Sequence, residues 1–573
     1  MEKVIRRRPV NSAVRFPNSV DPILARVYSA RGVTSPEEIT CSFRQLHPFH
    51  ALRGIDAAVD LLMEAVTRDR MMVVVADFDA DGATSCATAV RALRMMGAKH
   101  VQFIVPNRFQ FGYGLTPAIV EVAAQFKPHL LITVDNGISS IEGVETARAL
   151  GIKVLVTDHH LPGAELPRAD AIVNPNQPGD EFPSKALAGV GVIFYVMLAL
   201  RARLREINWF HQGRPEPNLA QLLDLVALGT VADVVPLDQC NRILVAQGLE
   251  RIRRGLSCPG VQALVAVSGR EVSKMVAADL GFAVGPRLNA AGRLEDMTLG
   301  IECLLTDDPA RARTLAVTLD ELNRERREIE ATMREQAMAH LDRTWERLGG
   351  SLPAGLSLFD ETWHQGVIGL VAGRVKERFH RPVIAFAGAD NDELKGSARS
   401  VPGLNIRDLI DAMATQHPGL IKKFGGHAMA AGLTLAKRNF DEFSALFDEH
   451  VRAAVDDDTL RGVIYSDGEL APEQINLDVA SALREGGPWG QGFPEPVFDG
   501  LFDVVESRVV GERHLKLALR PAQGSGSLDA IAFNAVGEEW TKSPRQLRLA
   551  YRLDVNEFRG SRSPQLVIEH AER

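Results

Sequence analysis

Four short, almost entirely apolar segments constrain the fold of this chain more than any other feature. They read MMVVVA (71–76), VQFIV (101–105), LLITV (130–134) and IKVLV (152–156), and helix-like sequence separates them. Continuous apolar runs of this length are typical of strands that are buried on both faces of a parallel sheet. The pattern therefore predicts an α/β unit built on a parallel sheet.

Carboxylates and imidazoles follow three of these segments directly. They are Asp77, Asp79 and Asp81 after the first, Asp135 after the third, and Asp158, His159 and His160 after the fourth. Because functional groups gather at the carboxyl ends of parallel strands, we expect the three clusters to converge. Carboxylates this close repel one another unless cations neutralise them, and oxygen ligands suit Mg²⁺ or Mn²⁺. The sequence therefore predicts a metal site.

Asp233 is a fourth candidate ligand because it interrupts the apolar segment LGTVADVVPL, where an unpaired charge would be costly. Each acid also has a simpler explanation when it is taken alone. Asp81 could cap a helix, and the others could lie in turns. A single turn does not easily explain three acids at alternate positions, so the whole set favours metal binding.

The length of 573 residues favours three or four domains. From the patterns we predict five parts: an N-terminal arm packed on the unit that follows it (1–50), the first α/β unit (51–307), a long helix (308–350), a smaller α/β unit (351–455) and a five-stranded barrel (456–573). The long helix has one apolar stripe, formed by Leu322, Ile329, Met333, Ala337, Leu341, Trp345 and Leu348. The simplest interpretation is a solvated helix with one packed stripe, which could also hold two domains apart across a cleft.

The formal net charge of −8 argues against a basic nucleic-acid-binding surface. Two divalent cations would offset only four of these charges, so any nucleic-acid contact must be a local groove. The five cysteines are widely spaced and form no C-x-x-C pair. With no secretory signal and no long apolar run, they predict a reduced, cytoplasmic protein without a membrane segment.

The motifs VADFDADG, TVDNG, VTDHH and GTVADVVPL resemble, in that order, the successive motifs of the DHH phosphoesterase superfamily. The strings GPRLNAAGRL, WHQGVIG, GSARS and FGGHAMAAG resemble those of its bacterial single-strand-specific exonucleases. The resemblance covers about residues 70–435 and implies a DHH domain, a DHHA1 domain and an OB-fold barrel. The implied activity is 5′-to-3′ hydrolysis of single-stranded DNA to 5′-mononucleotides, in recombination and repair.

The same resemblance implies two divalent cations, Mn²⁺ or Mg²⁺, with water as the attacking group. The implied ligands are Asp79 and Asp81 for one ion each, Asp135 as a bridge, and His159 and Asp233 for the second ion. Asp77 or water would complete the first site, because Val75 stands where many members have histidine. Asp158 would orient the two histidines, and His160 would face the scissile phosphate.

For the substrate, the resemblance implies a 5′-phosphate pocket formed by Arg108, Ser397 and Arg399, since planar guanidinium groups suit phosphate. It implies that the cleft is lined by Arg287, Asn289, His364 and His427. Basic residues of the barrel, Arg513, His514 and Lys516, could contact phosphates, although exposed basic residues are usually only solvated. The implied partners of a monomeric enzyme are single-stranded DNA, a helicase and a single-strand-binding protein.

Three other functions compete with the exonuclease interpretation. A haloacid-dehalogenase-type phosphatase would share the Asp79 and Asp81 pair but would have no use for the two histidines. A relative acting on small substrates, such as a pyrophosphatase or oligonucleotide phosphodiesterase, would not need the long helix or the barrel. A non-catalytic strand-binding relative would lose metal ligands, whereas this chain retains nearly all of them.

Overall fold

The structure is a computed structural model and describes residues 3–11, 14–107, 114–347, 352–456, 459–524, 526–537, 546–558 and 560–572. Its strands are β1 (Val4–Arg7), β2 (Met72–Ala76), β3 (Val101–Ile104), β4 (Leu130–Val134), β5 (Lys153–Thr157), β6 (Ala171–Val173), β7 (Leu356–Phe359), β8 (Val383–Ala389), β9 (Glu393–Arg399), β10 (Lys423–Gly426), β11 (Ala430–Ala436), β12 (Val463–Ser466), β13 (Phe498–Val510), β14 (His514–Pro521), β15 (Leu528–Ala532), β16 (Gln546–Phe558) and β17 (Ser561–Glu572).

Its helices are α1 (Pro22–Ser29), α2 (Ile55–Thr67), α3 (Ala80–Met95), α4 (Pro117–Ala124), α5 (Ile141–Ala149), α6 (Gly189–Glu206), α7 (Leu223–Ala232), α8 (Gln239–Arg253), α9 (Pro259–Val267), α10 (Ala277–Asp279), α11 (Gly285–Leu294), α12 (Thr298–Leu305), α13 (Pro309–Arg347), α14 (Ile368–Phe379), α15 (Ile406–Gln416), α16 (Phe440–Ala454) and α17 (Leu477–Glu485). A π-helical segment, Leu280–Val284, joins α10 to α11. In the described ranges, no helix has the length and apolar character needed to cross a membrane.

The first α/β unit is built on a five-stranded sheet in the order β3-β2-β4-β5-β6, and all its strands are parallel. This confirms the predicted α/β class, although β6 was not predicted. Alternate residues of β2 enter two separate cores: Val74 packs in the core that holds α2, α3 and α6, while Val73 and Val75 pack against α4 and α5. Burial on both faces explains why the strand is apolar at every position.

The register of the sheet places the carboxyl ends of three strands at one level. Ala76 at the end of β2 pairs with Val134 of β4, and Val134 pairs with Thr157 of β5. The next residue of each strand is an aspartate, and parallel strands of equal register bring these three carboxylates to the same edge. The sheet therefore gathers side chains that are 81 positions apart in the chain.

The helix α13 has 39 residues and joins the two α/β units. Near its start, Ala316 and Leu319 are buried in the core of the first unit. Further along, Met333, Ala337 and Leu341 are buried in the core of the second unit. Trp345 of the predicted stripe is exposed and does not pack in this core. Leu348 lies outside the described residues.

The second α/β unit has a five-stranded mixed sheet in the order β10-β11-β9-β8-β7, in which only β7 and β8 are parallel. The helix α14 lies between β7 and β8 in the chain and packs on this sheet. The C-terminal strands close into a barrel in the order β13-β14-β15-β17-β16. This confirms the predicted five-stranded, OB-like barrel.

The sequence predicts an N-terminal arm that packs on the unit that follows it. In the structure the arm also packs on the C-terminal part of the chain. Strand β1 pairs in parallel with β12, which precedes the barrel. In α1, the Tyr28 ring stacks on Trp489 and its hydroxyl donates to the Gly486 carbonyl. The apolar side chains of the arm therefore complete a core that the C-terminal part of the chain provides.

Candidate metal centre

The structure brings all the predicted acidic and imidazole ligands to one edge of the parallel sheet. Their ligand atoms form three overlapping groups, each within 4.8 Å: Asp77, Asp79 and Asp135; Asp81, His159 and Asp233; and Asp135, His159 and His160. His159 Nε2 lies 3.1 Å from Asp135 Oδ1 and 3.5 Å from Asp233 Oδ2. Asp135 is therefore common to the group containing Asp79 and the group containing His159.

The start of α3 orients the first two acids. Asp79 is the residue that caps this helix, and its Oδ1 accepts a hydrogen bond of 3.0 Å from the Gly82 amide. Asp81 does not act as the cap of its own helix, because its carboxylate accepts from the amides of Gly189 and Val190 at the start of α6, at 2.7 and 2.9 Å. These bonds hold both carboxylates at the sheet edge and leave oxygen lone pairs for a cation.

The backbone has an unusual conformation at one candidate ligand and directly after another. Asp135 has a φ of 61°, and Val234, which follows Asp233, has a φ of 62°. A β-branched residue in the left-handed region is an outlier that costs on the order of 1–3 kcal/mol and is typical of functional sites. Gly189 packs so closely on Asp135 that an added Cβ would lie 2.6 Å from its Oδ1. The backbone thus fixes the directions of these carboxylates.

The electrostatics of the cluster favour a cation. Burial raises the pKa of the Asp135 and Asp233 carboxyls well above the usual value, and repulsion from Asp81 and Asp79 adds to this rise. Burial and the positive charge of His160 lower the pKa of His159 to about 3, so its ring is neutral, which is the form that binds metals. Its buried Nε2 makes no hydrogen bond within the described ranges. These donors fit divalent cations.

His160 and Asp158 form an ion pair beside the cluster. His160 Nδ1 donates to Asp158 Oδ1 at 2.7 Å, and Asp158 Oδ2 accepts from the Ile138 amide at 2.9 Å. Burial alone would lower the pKa of His160, but the bond to Asp158 outweighs it and raises this pKa to about 9. Burial would raise the pKa of Asp158, but the same bond holds it below its usual value. In the metal-free protein the His160 ring is therefore positively charged, and Asp158 holds its orientation.

A cavity of about 420 Å³ extends from the cluster to the second α/β unit. Its polar lining comes from both units and includes Asp79, Asn289, Arg293, Lys395, Ser397 and Arg399. Arg399 Nη1 donates to Ser397 Oγ at 3.1 Å, and burial lowers the pKa of its guanidinium group. No carboxylate of the described residues forms an ion pair with Arg399. A half-buried cation of this kind is suited to bind an anion.

The other residues predicted to contact the substrate do not all lie in this cavity. Asn289 lines the cavity, and its Oδ1 accepts from the Ala80 amide at 2.9 Å. His427 stacks on His160, and His364 lies in an adjoining cavity of about 550 Å³. Arg108 lies outside the described residues.

The expectation that Arg287 lines the cleft is corrected by the structure. Its side chain is buried, and its Nη2 forms an ion pair with Asp320 of α13 at 2.7 Å. The guanidinium group therefore joins α11 to the long helix, because a buried cation requires a buried partner. The motif GPRLNAAGRL supplies a different arginine to the cavity, Arg293, whose Nη1 donates to the Gly366 carbonyl at 2.9 Å.

Sequence reasoning also missed Lys395. It lies on β9 with Ser397 and Arg399, and residues two positions apart share one face of a strand. In LKGSARS the polar residues alternate with glycine and alanine, and this alternation is the signal that could have identified Lys395.

A parallel-sheet unit with clustered aspartates and histidines, facing a second α/β unit across a cleft, defines a metal-dependent phosphoesterase of the DHH and DHHA1 type. Family models match accordingly: the DHH family N-terminal domain over residues 71–230, the DHHA1 domain over 353–453 and the RecJ OB domain over 466–570. The chain belongs to the RecJ family of single-stranded-DNA-specific exonucleases.

Curated relatives include the single-stranded-DNA-specific exonuclease RecJ of Dickeya dadantii, which is 56% identical over 99% of this chain and 98% of its own length. The Escherichia coli protein of the same name is 52% identical over the same shares. Among solved structures, RecJ of Thermus thermophilus in complex with Mn²⁺ has a TM-score of 0.81 and 29% identity, covering 98% of this chain and 80% of that one. The same protein has also been solved with Mg²⁺, with a TM-score of 0.74 and 28% identity, covering 98% of this chain and 78% of that one.

Proposed function

We propose that this chain hydrolyses single-stranded DNA from its 5′ end and releases 5′-mononucleotides. As a RecJ-family member it is a metal-dependent exonuclease specific for single strands, with Mn²⁺ or Mg²⁺ as cofactor. The observation that carries the proposed polarity is a single cavity lined both by Asp79 of the metal cluster and by Arg399, a cation with no carboxylate partner among the described residues. A terminal phosphate bound at one end of this cavity would place the next phosphodiester at the other.

We assign the cations to the two main groups of the cluster. Asp77, Asp79 and Asp135 would hold one ion, and Asp81, His159 and Asp233 would hold the other, with Asp135 near both. When bound, two such ions neutralise charge on a phosphodiester and lower the pKa of a nearby water. In this assignment Asp77 would replace the histidine ligand that many family members have where this chain has Val75.

The residues of the chain supply orientation and a proton. Asp158 fixes His160 through the bond of 2.7 Å, and His160 in its charged form can donate a hydrogen bond to a phosphoryl oxygen. Arg399, Ser397 and Arg293 would bind the terminal phosphate through charge-assisted hydrogen bonds. Because residues of both units line the pocket, the position of the strand end would determine which bond is cleaved.

The proposal also covers the biological role, the partners, the oligomeric state and the location of the enzyme. A role in recombination and repair, a helicase and a single-strand-binding protein as partners, and a monomeric state all follow from the family resemblance. A cytoplasmic location is supported by five cysteines that are all free thiols.

The test uses 10-nucleotide single strands that carry either a 5′-phosphate or a 5′-hydroxyl group, labelled at the 3′ end, and a matched duplex. We expect mononucleotide release that EDTA abolishes, Mn²⁺ restores and the duplex does not support. Arg399→Ala should remove most of the preference for the 5′-phosphate, about tenfold or more. The control is Arg378→Ala, an exposed arginine on α14. Release from the 3′ end, or an unchanged phosphate preference in Arg399→Ala, would refute the proposed polarity.

A further inference from the structure

Phe282 is an exposed aromatic side chain on a segment that packs against the end of α7, the helix that precedes Asp233. It is 79% exposed, the largest fraction for a bulky apolar side chain in the part of the chain that the structure describes. Burial of a phenylalanine side chain stabilises a folded protein, and this exposed ring contributes little of that stabilisation. Isolated exposed apolar residues are common on proteins, and the position of Phe282 is what distinguishes it.

The backbone at Phe282 forms the π-helical segment Leu280–Val284. Such segments are rare and frequently occur at functional sites. The neighbouring Gly281 and Gly285 approach Val231 and Ala232, the last residues of α7 before Asp233. Phe282 therefore projects from a helix that packs directly on the element carrying a proposed metal ligand.

The other end of the same continuous helix reaches the phosphate pocket. Asn289 and Arg293 line the cavity with Asp79 and Arg399, and Arg293 lies eleven residues beyond Phe282. At a rise of 1.5 Å per residue, these two side chains are separated by about 16 Å along the helix. A strand whose end lies in the pocket would cover that distance in about five nucleotides at a stacked spacing of about 3.4 Å, or in fewer if it is extended.

We propose that Phe282 stacks on a base of the substrate strand, several nucleotides to the 3′ side of the scissile bond. This inference rests on the proposed 5′-to-3′ function, because the polarity determines which part of the strand passes the helix. Aromatic rings bind single strands by stacking, which tolerates any sequence because every base has a π-face. Contacts of this kind suit an exonuclease that digests arbitrary sequences.

The stacking residue also favours single strands over duplexes. A base in a duplex already stacks on its two neighbours and is not accessible to a protein ring unless it is displaced, which costs a few kcal/mol. Val234, which follows Asp233 in the chain, is 63% exposed and offers a second apolar side chain next to a proposed metal ligand. The occupant we assign to this surface is a base of the strand.

The experiment compares Phe282→Ala and Phe282→Trp in the full-length holoenzyme. The two substrates are a 5′-phosphorylated thymidine dinucleotide, too short to reach Phe282, and a 5′-phosphorylated thymidine decamer. For Phe282→Ala we expect KM for the decamer to rise roughly tenfold with little change in kcat, and both constants for the dinucleotide to remain unchanged. Phe282→Trp should restore the parental KM. The matched control is Phe126→Ala, a 41% exposed ring away from the cleft.

A second measurement separates binding from chemistry. Fluorescence anisotropy of the labelled decamer in EDTA should show weaker binding by Phe282→Ala, again by roughly tenfold. An unchanged decamer KM, or equal losses on both substrates, would overturn the assignment of Phe282. If the parental enzyme releases nothing from the 5′-phosphorylated end of either substrate, the proposed polarity fails instead. Because the ring is exposed, the melting temperature of each variant should match that of the parent, which excludes unfolding as a cause.

Discussion

The imidazole ring of His427 stacks on that of His160, with ring centroids 5.5 Å apart and an angle of 29° between the planes. His160 follows β5 of the first α/β unit, whereas His427 lies between β10 and β11 of the second. Burial and the positive charge of His160 lower the pKa of His427. The two α/β units therefore meet through a pair of histidines, one charged and one neutral, beside the metal cluster.

The first prediction concerns this pair. His427→Ala should lower kcat at least about tenfold, because His160 loses the ring that limits its movement. Mn²⁺ affinity, measured by calorimetry on the metal-free protein, should change less than twofold, since His427 belongs to none of the ligand groups. His417→Ala, which removes a histidine paired with His450 in the same unit, is the control. A parallel loss of Mn²⁺ affinity would mean that His427 shapes the metal site itself.

The second prediction concerns charge in the cluster. The pKa of Asp135 is raised by folding, so its ionised form destabilises the metal-free protein at pH 7, while a cation reverses this effect. Asp135→Asn should therefore melt no lower than the parent in EDTA and should lose most of the stabilisation that Mn²⁺ gives the parent. Activity should fall at least about 100-fold. A variant that melts lower in EDTA but keeps the Mn²⁺ effect would contradict the assigned role.

The third prediction tests the close contact at the start of α6. Gly189→Ala would place a Cβ 2.6 Å from Asp135 Oδ1 and disturb the amide that donates to Asp81. We expect weaker Mn²⁺ binding, by roughly 10- to 100-fold, with the helix retained. Gly373→Ala in α14 is the matched control, because its Cβ would meet nothing within 4 Å. The control should be stabilised by about 0.5–1 kcal/mol. Equal Mn²⁺ affinities in the two variants would show that the contact does not position the ligands.

The fourth prediction concerns acid stability away from the metal site. Buried Asp499 accepts from Arg7 at 2.9 Å, Ser466 at 2.5 Å and Arg548 at 3.0 Å. Burial would raise its pKa, but these hydrogen bonds hold it below the usual value. A depressed pKa stabilises the fold above the unfolded value of about 3.9, and this stabilisation is lost as the pH falls through the folded pKa.

Asp499→Asn should therefore reduce the free energy of unfolding at pH 7 by ~2 kcal/mol, with a smaller difference near pH 3. Urea unfolding at several pH values measures this. Asp529→Asn serves as the control, since its ion pair with Lys516 is exposed and contributes little. A difference that stays constant with pH would rule out a contribution from the Asp499 charge.

The sequence predicted the metal cluster well where strands determine position. Asp77, Asp135 and Asp158 each follow a buried strand, and equal register brings them together. Strand periodicity could not place Asp233, because that residue follows a helix, α7. The charge within an apolar segment marked it as a candidate, and the motif resemblance assigned its role.

Side-chain direction on helices was harder to predict. Arg287 and Arg293 lie in one motif, yet the first pairs with Asp320 inside the protein and the second reaches the cavity. The sequence of α11 alone does not reveal which of its faces the long helix covers. The exposure of Phe282 was missed for a related reason, since a π-helical turn shifts the periodicity on which such predictions depend.

The pairing of β1 with β12 also affects how the protein is made. Residues Val4–Arg7 have their strand partner more than 450 positions later. A ribosome that adds about 5–20 residues per second needs roughly 20 to 90 seconds to supply it. During that interval the parallel-sheet unit can fold, but β1 has no partner strand because β12 has not yet been synthesised. Attachment of the arm is therefore a late event of biosynthesis, and a nascent chain stalled within the second α/β unit would expose β1 to proteases.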